Sequence, residues 1–180
     1  MGCSGINSKI EKLKEYQKLL EDDIRDYELY LQNKDTKIEE LNSQIAREEN
    51  EIRANKHTYT QQQKIDKAKK LIPLLNEKFR LDWVTNYTRK FTGTLRDNLN
   101  LIEKKIQQMK FHRNIKKANE IIDDIGEYDT QEEIKINLNT MMRETENTKR
   151  EINLMDTGRK AINKEIGKTD IDTYLKNLLS

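Results

Sequence analysis

Residues 6–54 read INSKIEKLKEYQKLLEDDIRDYELYLQNKDTKIEELNSQIAREENEIRA, and a period of seven organises them. With position a at 10, 17, 24, 31, 38, 45 and 52, the occupants are Ile10, Gln17, Ile24, Leu31, Ile38, Ile45 and Ile52. Position d holds Ile6, Leu13, Leu20, Tyr27, Lys34, Leu41 and Glu48. Eleven of these fourteen positions are apolar or Tyr, so the stretch predicts one long helix with a coiled-coil seam. At 1.5 Å per residue such a helix spans about 70 Å. Alone it cannot hide its seam, so it needs a partner helix. Ile at a with Leu at d suits parallel two-stranded pairing, and an antiparallel hairpin within one chain satisfies the seam equally.

Composition supports a thin helical system over a thick globule. Hydrophobic residues are 34% and charged residues 37% of 180, and the mean hydropathy is -1.02. A compact domain usually carries about 45–50% apolar residues. One proline and six glycines leave little material for hairpin turns. One cysteine excludes an intramolecular disulfide framework and a thiolate metal site. His57 and His112 are too few for a histidine-based site and read as surface residues. No run of about 18 apolar residues predicts a transmembrane helix, and no apolar leader opens the chain. A reducing, intracellular setting is the expectation.

Beyond the first helix the pattern breaks at 55–63, which carries no aliphatic seam residue and reads as a hinge. A second helix resumes near Lys64, with Ile65, Ala68, Ile72, Leu75 and Phe79 at 3–4 spacing. Pro73 removes a backbone donor and is expected to kink it or start a new segment. Phe79, Trp83, Tyr87 and Phe91 stand four apart, which predicts a packed aromatic stripe with a locally rewound seam rather than a base-stacking platform. Leu95, Leu99, Ile102, Ile106 and Met109 restore the repeat. Gly126 reads as a helix end, and Thr130 with Glu133 as a capping box. The helix after it carries Ile134, Leu138, Met141, Ile152 and Met155, with Thr145 and Thr148 in two seam slots. Gly158 and Gly167 are expected to flank a short segment, and 171–179 to form a turn or two of amphipathic helix. The fold class is therefore all-α: a long coiled-coil helical hairpin with shorter C-terminal helices.

Charge comes in blocks. Residues 56–117 hold 16 Lys/Arg against 5 Asp/Glu, while residues 1–55 hold 9 against 13 and residues 118–180 hold 9 against 14. A basic helix between two acidic segments attracts anionic surfaces, and the acidic ends are candidates to fold back on it. Lys64, Lys67, Lys69 and Lys70 form one dense cluster. Lys104 and Lys105 open a second that continues through Lys110, Arg113, Lys116 and Lys117. Met1-Gly2-Cys3-Ser4 supplies a myristoylation candidate at Gly2 and a palmitoylation candidate at Cys3, although Ile6 stands where the motif prefers Ser or Thr. Two acyl chains, or one chain plus basic charge, hold a membrane stably. Membrane is favoured over nucleic acid because the anchor points the same way. The acidic pairs Asp22-Asp23 and Asp123-Asp124 lack the spaced partners that metal or acid–base chemistry needs. No phosphate loop, nucleophile elbow or zinc spacing occurs, so no cofactor and no enzymatic activity is expected.

Several strings carry a family resemblance. They are the Met1-Gly2 start, Leu13-Lys14-Glu15-Tyr16-Gln17-Lys18, Lys67-Ala68-Lys69-Lys70-Leu71 after the hinge, Thr130-Gln131-Glu132-Glu133-Ile134, and the tail Asp172-Thr173-Tyr174-Leu175-Lys176-Asn177-Leu178-Leu179. Together they resemble the ESCRT-III family of charged multivesicular body proteins, most closely its myristoylated, filament-nucleating member. The family's proline-rich ATPase-binding motif is absent. The resemblance implies residues 1–8 as an acylated segment and 9–125 as the hairpin, with 9–54 the first helix, 55–63 the hinge and 64–125 the basic second helix. Residues 126–180 would be regulatory helices and tail. It further implies a subunit that polymerises on endosomal membranes for multivesicular body sorting and membrane remodelling. Lys64, Lys67, Lys69, Lys70, Lys104 and Lys105 would meet anionic lipid. Ile10, Leu13, Ile24, Leu31, Ile38, Leu41 and Ile45 would form the assembly seam. Leu175, Leu178 and Leu179 would be a motif for an AAA ATPase. The alternative expectation is an acylated dimeric coiled-coil tether or scaffold without remodelling activity.

Overall fold

A computed structural model describes residues 3–121, 132–158 and 164–180. Among them the regular structure is helical throughout, with no strand. Four α-helices follow in order: α1 (Cys3–Asn55), α2 (Gln61–Ile121), α3 (Leu138–Asp156) and α4 (Lys164–Leu179), with a 3-10 turn at Lys56–Thr58. The chain divides into two units, one of Met1–Glu28 with Phe91–Asn147 and the other of Leu29–Lys90 with Thr148–Ser180.

In the first unit Ile10, Leu13, Tyr16, Leu20 and Ile24 of α1 are buried, as are Phe91, Leu95, Ile102 and Ile106 of α2. The two segments run antiparallel. Asn7 accepts from Arg113 at 3.0 Å, Gln17 donates to Glu103 at 3.4 Å, and Glu28 pairs with Arg96, so partner numbers fall as α1 ascends. The Tyr27 and Phe91 rings meet edge to face at 5.2 Å between centroids, a favoured aromatic geometry.

The second unit repeats the pairing with its own residues. Asp35 binds Arg89, Glu48 binds Lys70 and Glu51 binds Lys67. The charge blocks read in the sequence thus answer one another inside the chain. A core of Ile52, Leu71, Ile171, Leu175 and Leu178 joins α1, α2 and α4, with Tyr59, Ala68, Leu75, Tyr174 and Leu179 packed on it.

Local chemistry sets the helix ends. The hinge is shorter than 55–63: α1 continues to Asn55 and α2 starts at Gln61. The reason is a capping box. The Gln63 backbone N–H donates to the Thr60 hydroxyl at 3.2 Å, and the Thr60 N–H donates to the Gln63 side chain at 2.8 Å. The first helix likewise begins at Cys3 rather than at 9, and α2 is described to Ile121. Gly126 and Thr130, read as a helix end and a cap, lie outside the described residues. The following helix begins at Leu138, because the Asn137 side chain caps the Thr140 N–H at 3.1 Å. Ile134 therefore precedes the helix. Gly158, at φ +73°, closes α3 in the left-handed conformation that glycine adopts freely, its N–H donating to Met155 at 3.2 Å.

Further expectations are corrected. α2 continues through Pro73, so no new segment starts there. Pro73 and Lys69, whose carbonyl loses its helical donor, are both exposed, so water is available to that carbonyl. The seam of α2 is not rewound: Leu81, Thr88, Leu95 and Ile102 are buried at intervals of seven. Trp83 turns outward at 39% exposure, and Val84 and Thr85 face inward instead. Thr88 fits because its hydroxyl donates to the Val84 carbonyl at 2.7 Å within its own helix. Finally, Gly167 lies inside α4 rather than at a segment boundary. A Cβ there would stand 2.7 Å from the Phe79 ring.

Two predictions follow from this packing. Glycine to alanine inside a helix normally stabilises by about 1 kcal/mol. Gly167→Ala instead lowers the melting temperature, because overpacking costs about 1–3 kcal/mol; a rise would refute the close contact. Ile24 is buried whereas Ile38 is half-buried. Ile24→Glu therefore destabilises more than Ile38→Glu in urea titrations, the loss of a full side-chain burial being about 1.5–3 kcal/mol.

Candidate functional site

The six lysines proposed for lipid contact divide into two sets. Lys67 donates to Glu51 at 2.7 Å and also lies 6.0 Å from the Tyr59 ring centroid. Its hydrogen bond holds the Glu51 carboxyl below the usual range and raises the Lys67 ammonium. Lys70 pairs with Glu48 at 2.7 Å and Lys105 with Glu133 at 3.6 Å. Lys64, Lys69 and Lys104 make no ion pair among the described residues. Lys69 is exposed between Ile65 and Ile72, themselves 39% and 38% exposed. Positions 65, 69 and 72 share one helical face, which therefore presents an ammonium flanked by aliphatic side chains.

Of the seven seam residues, Ile10, Leu13, Ile24 and Ile45 are buried, while Leu31, Ile38 and Leu41 are half-buried. Leu175 and Leu178 are core residues of the second unit and Leu179 packs beside them. Gly2 lies outside the described residues, as does the side chain of Cys3, whose backbone opens α1.

A polar cluster that the sequence reading did not single out fixes the end of α3. Asp156 accepts from Tyr30 at 3.0 Å and pairs with Lys34 at 2.8 Å. Arg80 donates to the Asp156 backbone carbonyl at 2.7 Å and is held in turn by Glu77 at 2.6 Å. Burial pushes the Asp156 carboxyl up, but the hydrogen bonds from Lys34 and Tyr30 and the charges of Lys34 and Arg80 outweigh it, so its pKa falls below the ordinary value. Arg80 likewise depresses Glu77, by its hydrogen bond first. Tyr87 in turn donates to Glu151, and that bond, with burial and the carboxylate charge, lifts the phenol to about 12. Lys34, which looks like an error in the d register, is the signal for this cluster: it is a charged seam residue whose partner, Asp156, lies far away in the sequence.

The first unit also holds a groove of about 710 Å³. One wall is α1 at Ile6, Lys9, Lys12 and Leu13; another is α2 at Lys105, Gln108, Met109 and His112. The third is the segment before α3, at Glu133–Ile136, continued by Leu138 at the start of α3. That segment has no helical hydrogen bonds of its own. Gln108, 6% exposed, anchors it, donating to the Glu132 carbonyl and accepting from the Ile134 N–H, each at 3.0 Å. His112, expected on the surface, is half-buried in this groove.

Among the described residues there is no cluster of three or more His, Cys, Asp or Glu side chains placed to hold a metal. No described helix is long and apolar enough to cross a membrane. Comparison with protein families, curated proteins and solved structures finds no match.

The Asp156 cluster predicts acid sensitivity of a definite sign. Its folded pKa lies below its unfolded one, so the unfolded chain takes up the proton first as pH falls. The stabilisation is intact above about pH 4 and is lost as pH drops through the folded value. Asp156→Asn removes this component, so its melting temperature depends less on pH between about 5 and 3 than that of the parent. Identical pH slopes would show that the cluster contributes nothing.

Proposed function

We propose that the chain is a membrane-associated assembly subunit of the kind the ESCRT-III resemblance implies. In this reading α1 and α2 are the arms of a coiled-coil hairpin, Gly2 and Cys3 carry acyl chains, and α2 meets anionic headgroups. The subunit is non-enzymatic and sits peripherally on endosomal or other cytoplasmic-facing membranes, where it polymerises with like subunits and remodels the bilayer. The observation that carries the reading is the exposed Ile65-Lys69-Ile72 face beside Lys64. Aliphatic side chains that enter the headgroup boundary, together with ammonium groups that stay at it, are what an interfacial helix presents. Lys67, Lys70 and Lys105 are committed to Glu51, Glu48 and Glu133, so in this reading they support the fold rather than the lipid contact. Engagement of Leu175, Leu178 and Leu179 by an AAA ATPase would require α4 to leave the core it completes.

A second reading, an acylated dimeric coiled-coil tether or scaffold without remodelling activity, draws on Leu31, Ile38 and Leu41. These remain half-buried and offer a second copy something to cover.

Sedimentation with vesicles tests the first reading. Surface lysines contribute about 1 kcal/mol each toward anionic membranes. Replacing Lys64, Lys69 and Lys104 together by Glu therefore weakens binding to phosphatidylserine vesicles by at least about a hundredfold, with helicity unchanged. Binding that survives would refute the assignment. Electron microscopy of the vesicles separates filaments from the discrete dimers of the second reading.

A further inference from the structure

The groove of the first unit has a composition that the membrane reading does not use. Its floor is aliphatic: Ile6 and Leu13 from α1, Met109 from α2, and Ile134, Ile136 and Leu138 from the third wall. The alternation along that wall is the extended-chain one, with 134, 136 and 138 half-buried and 133, 135 and 137 exposed. Gln108 is the polar side chain set deepest, and both ends of its amide are already bonded to backbone. The floor therefore offers a ligand contact but little hydrogen bonding. The wall is also anchored in advance, which lowers the ordering cost of binding.

The rim is cationic. Lys9 and Lys12 stand on α1, Lys105 on α2, and Lys135 on the third wall. Glu133 is the one acid among the described lining residues, and Lys105 holds it at 3.6 Å. That leaves Lys9, Lys12 and Lys135 without an ion pair among the described residues.

An apolar floor under a lysine rim is the complement of an amphiphile with one anionic end. We propose that this groove binds a single long-chain fatty acid, its chain along Ile6, Leu13 and Met109 and its carboxylate among Lys9, Lys12 and Lys135. The volume lies within the roughly 300–1,000 Å³ of small-ligand pockets. A chain amide-linked to Gly2 would be uncharged at its head and would leave the three lysines without an anion. The inference uses no part of the membrane reading and stands or falls separately.

Full-length unacylated protein titrated with cis-parinaric acid, below the concentration at which that acid forms micelles, tests it by fluorescence. One-to-one saturable binding that palmitate displaces is expected. The alcohol of equal chain length should compete about tenfold less well, since the three rim pairs are lost. Replacing Lys9, Lys12 and Lys135 together by Ala should weaken the acid about tenfold while leaving the alcohol unchanged. Ile136→Glu, at a half-buried position outside the helices, should abolish binding of both with helicity retained. Equal affinity for acid and alcohol overturns the proposal, as does binding only to phospholipid vesicles. Protein acylated at Gly2 that has lost the site would assign the groove to the chain's own lipid and overturn it as well.

Discussion

A helix with one apolar stripe cannot bury that stripe against itself, and this constraint organises everything else in the chain. Much of the stripe of α1 is covered by elements of the same polypeptide, by α2 in the first unit and by α2 with α4 in the second, while Leu31, Ile38 and Leu41 stay half-buried. The burial is narrow, so it does not fix register by shape alone. Charge complements it. The acidic first helix meets the basic second through Glu28 with Arg96, Asp35 with Arg89, Glu48 with Lys70 and Glu51 with Lys67. Each such pair at a surface contributes little, about 0–1 kcal/mol. A one-turn slip would break the whole set, so their combined effect is on specificity.

The same complementarity changes what the basic block means. Sixteen Lys/Arg in residues 56–117 suggest an anionic partner when counted along the sequence. Folding commits several of them to α1, α3 or the segment before α3. What remains for a surface is a smaller set, and lipid contact depends on which lysines stay unmatched and what stands beside them. Lys69 between two exposed isoleucines is informative; Lys67 over Glu51 and Tyr59 is not.

The helical class, the long first helix and its inward face were legible because Ile and Leu recur every three or four residues with few exceptions. The capping box at Thr60 and Gln63 was equally present in the sequence, but it sat inside a stretch read only for its lack of aliphatics. Other features were not legible from local pattern. Thr88 takes a core position because its hydroxyl can bond its own helix, whereas Trp83, larger and more apolar, is left outside. Residue type alone favours the opposite. Asp156 and Lys34 meet across more than a hundred residues, as do Tyr174 and Glu49. Gln108 reads as one more polar residue between seam positions, yet it anchors the wall of the groove. Such roles depend on which elements adjoin, which a single helix's periodicity does not encode.

The central claim is that the seam of α1 is satisfied within one chain rather than between chains. Thermal unfolding followed by circular dichroism over about a hundredfold range of protein concentration tests it most directly. The account predicts full helicity at the lowest concentration and a melting temperature that does not move. A melting temperature that climbs with concentration, or helicity lost on dilution, would mean that a second copy covers the stripe and would contradict it.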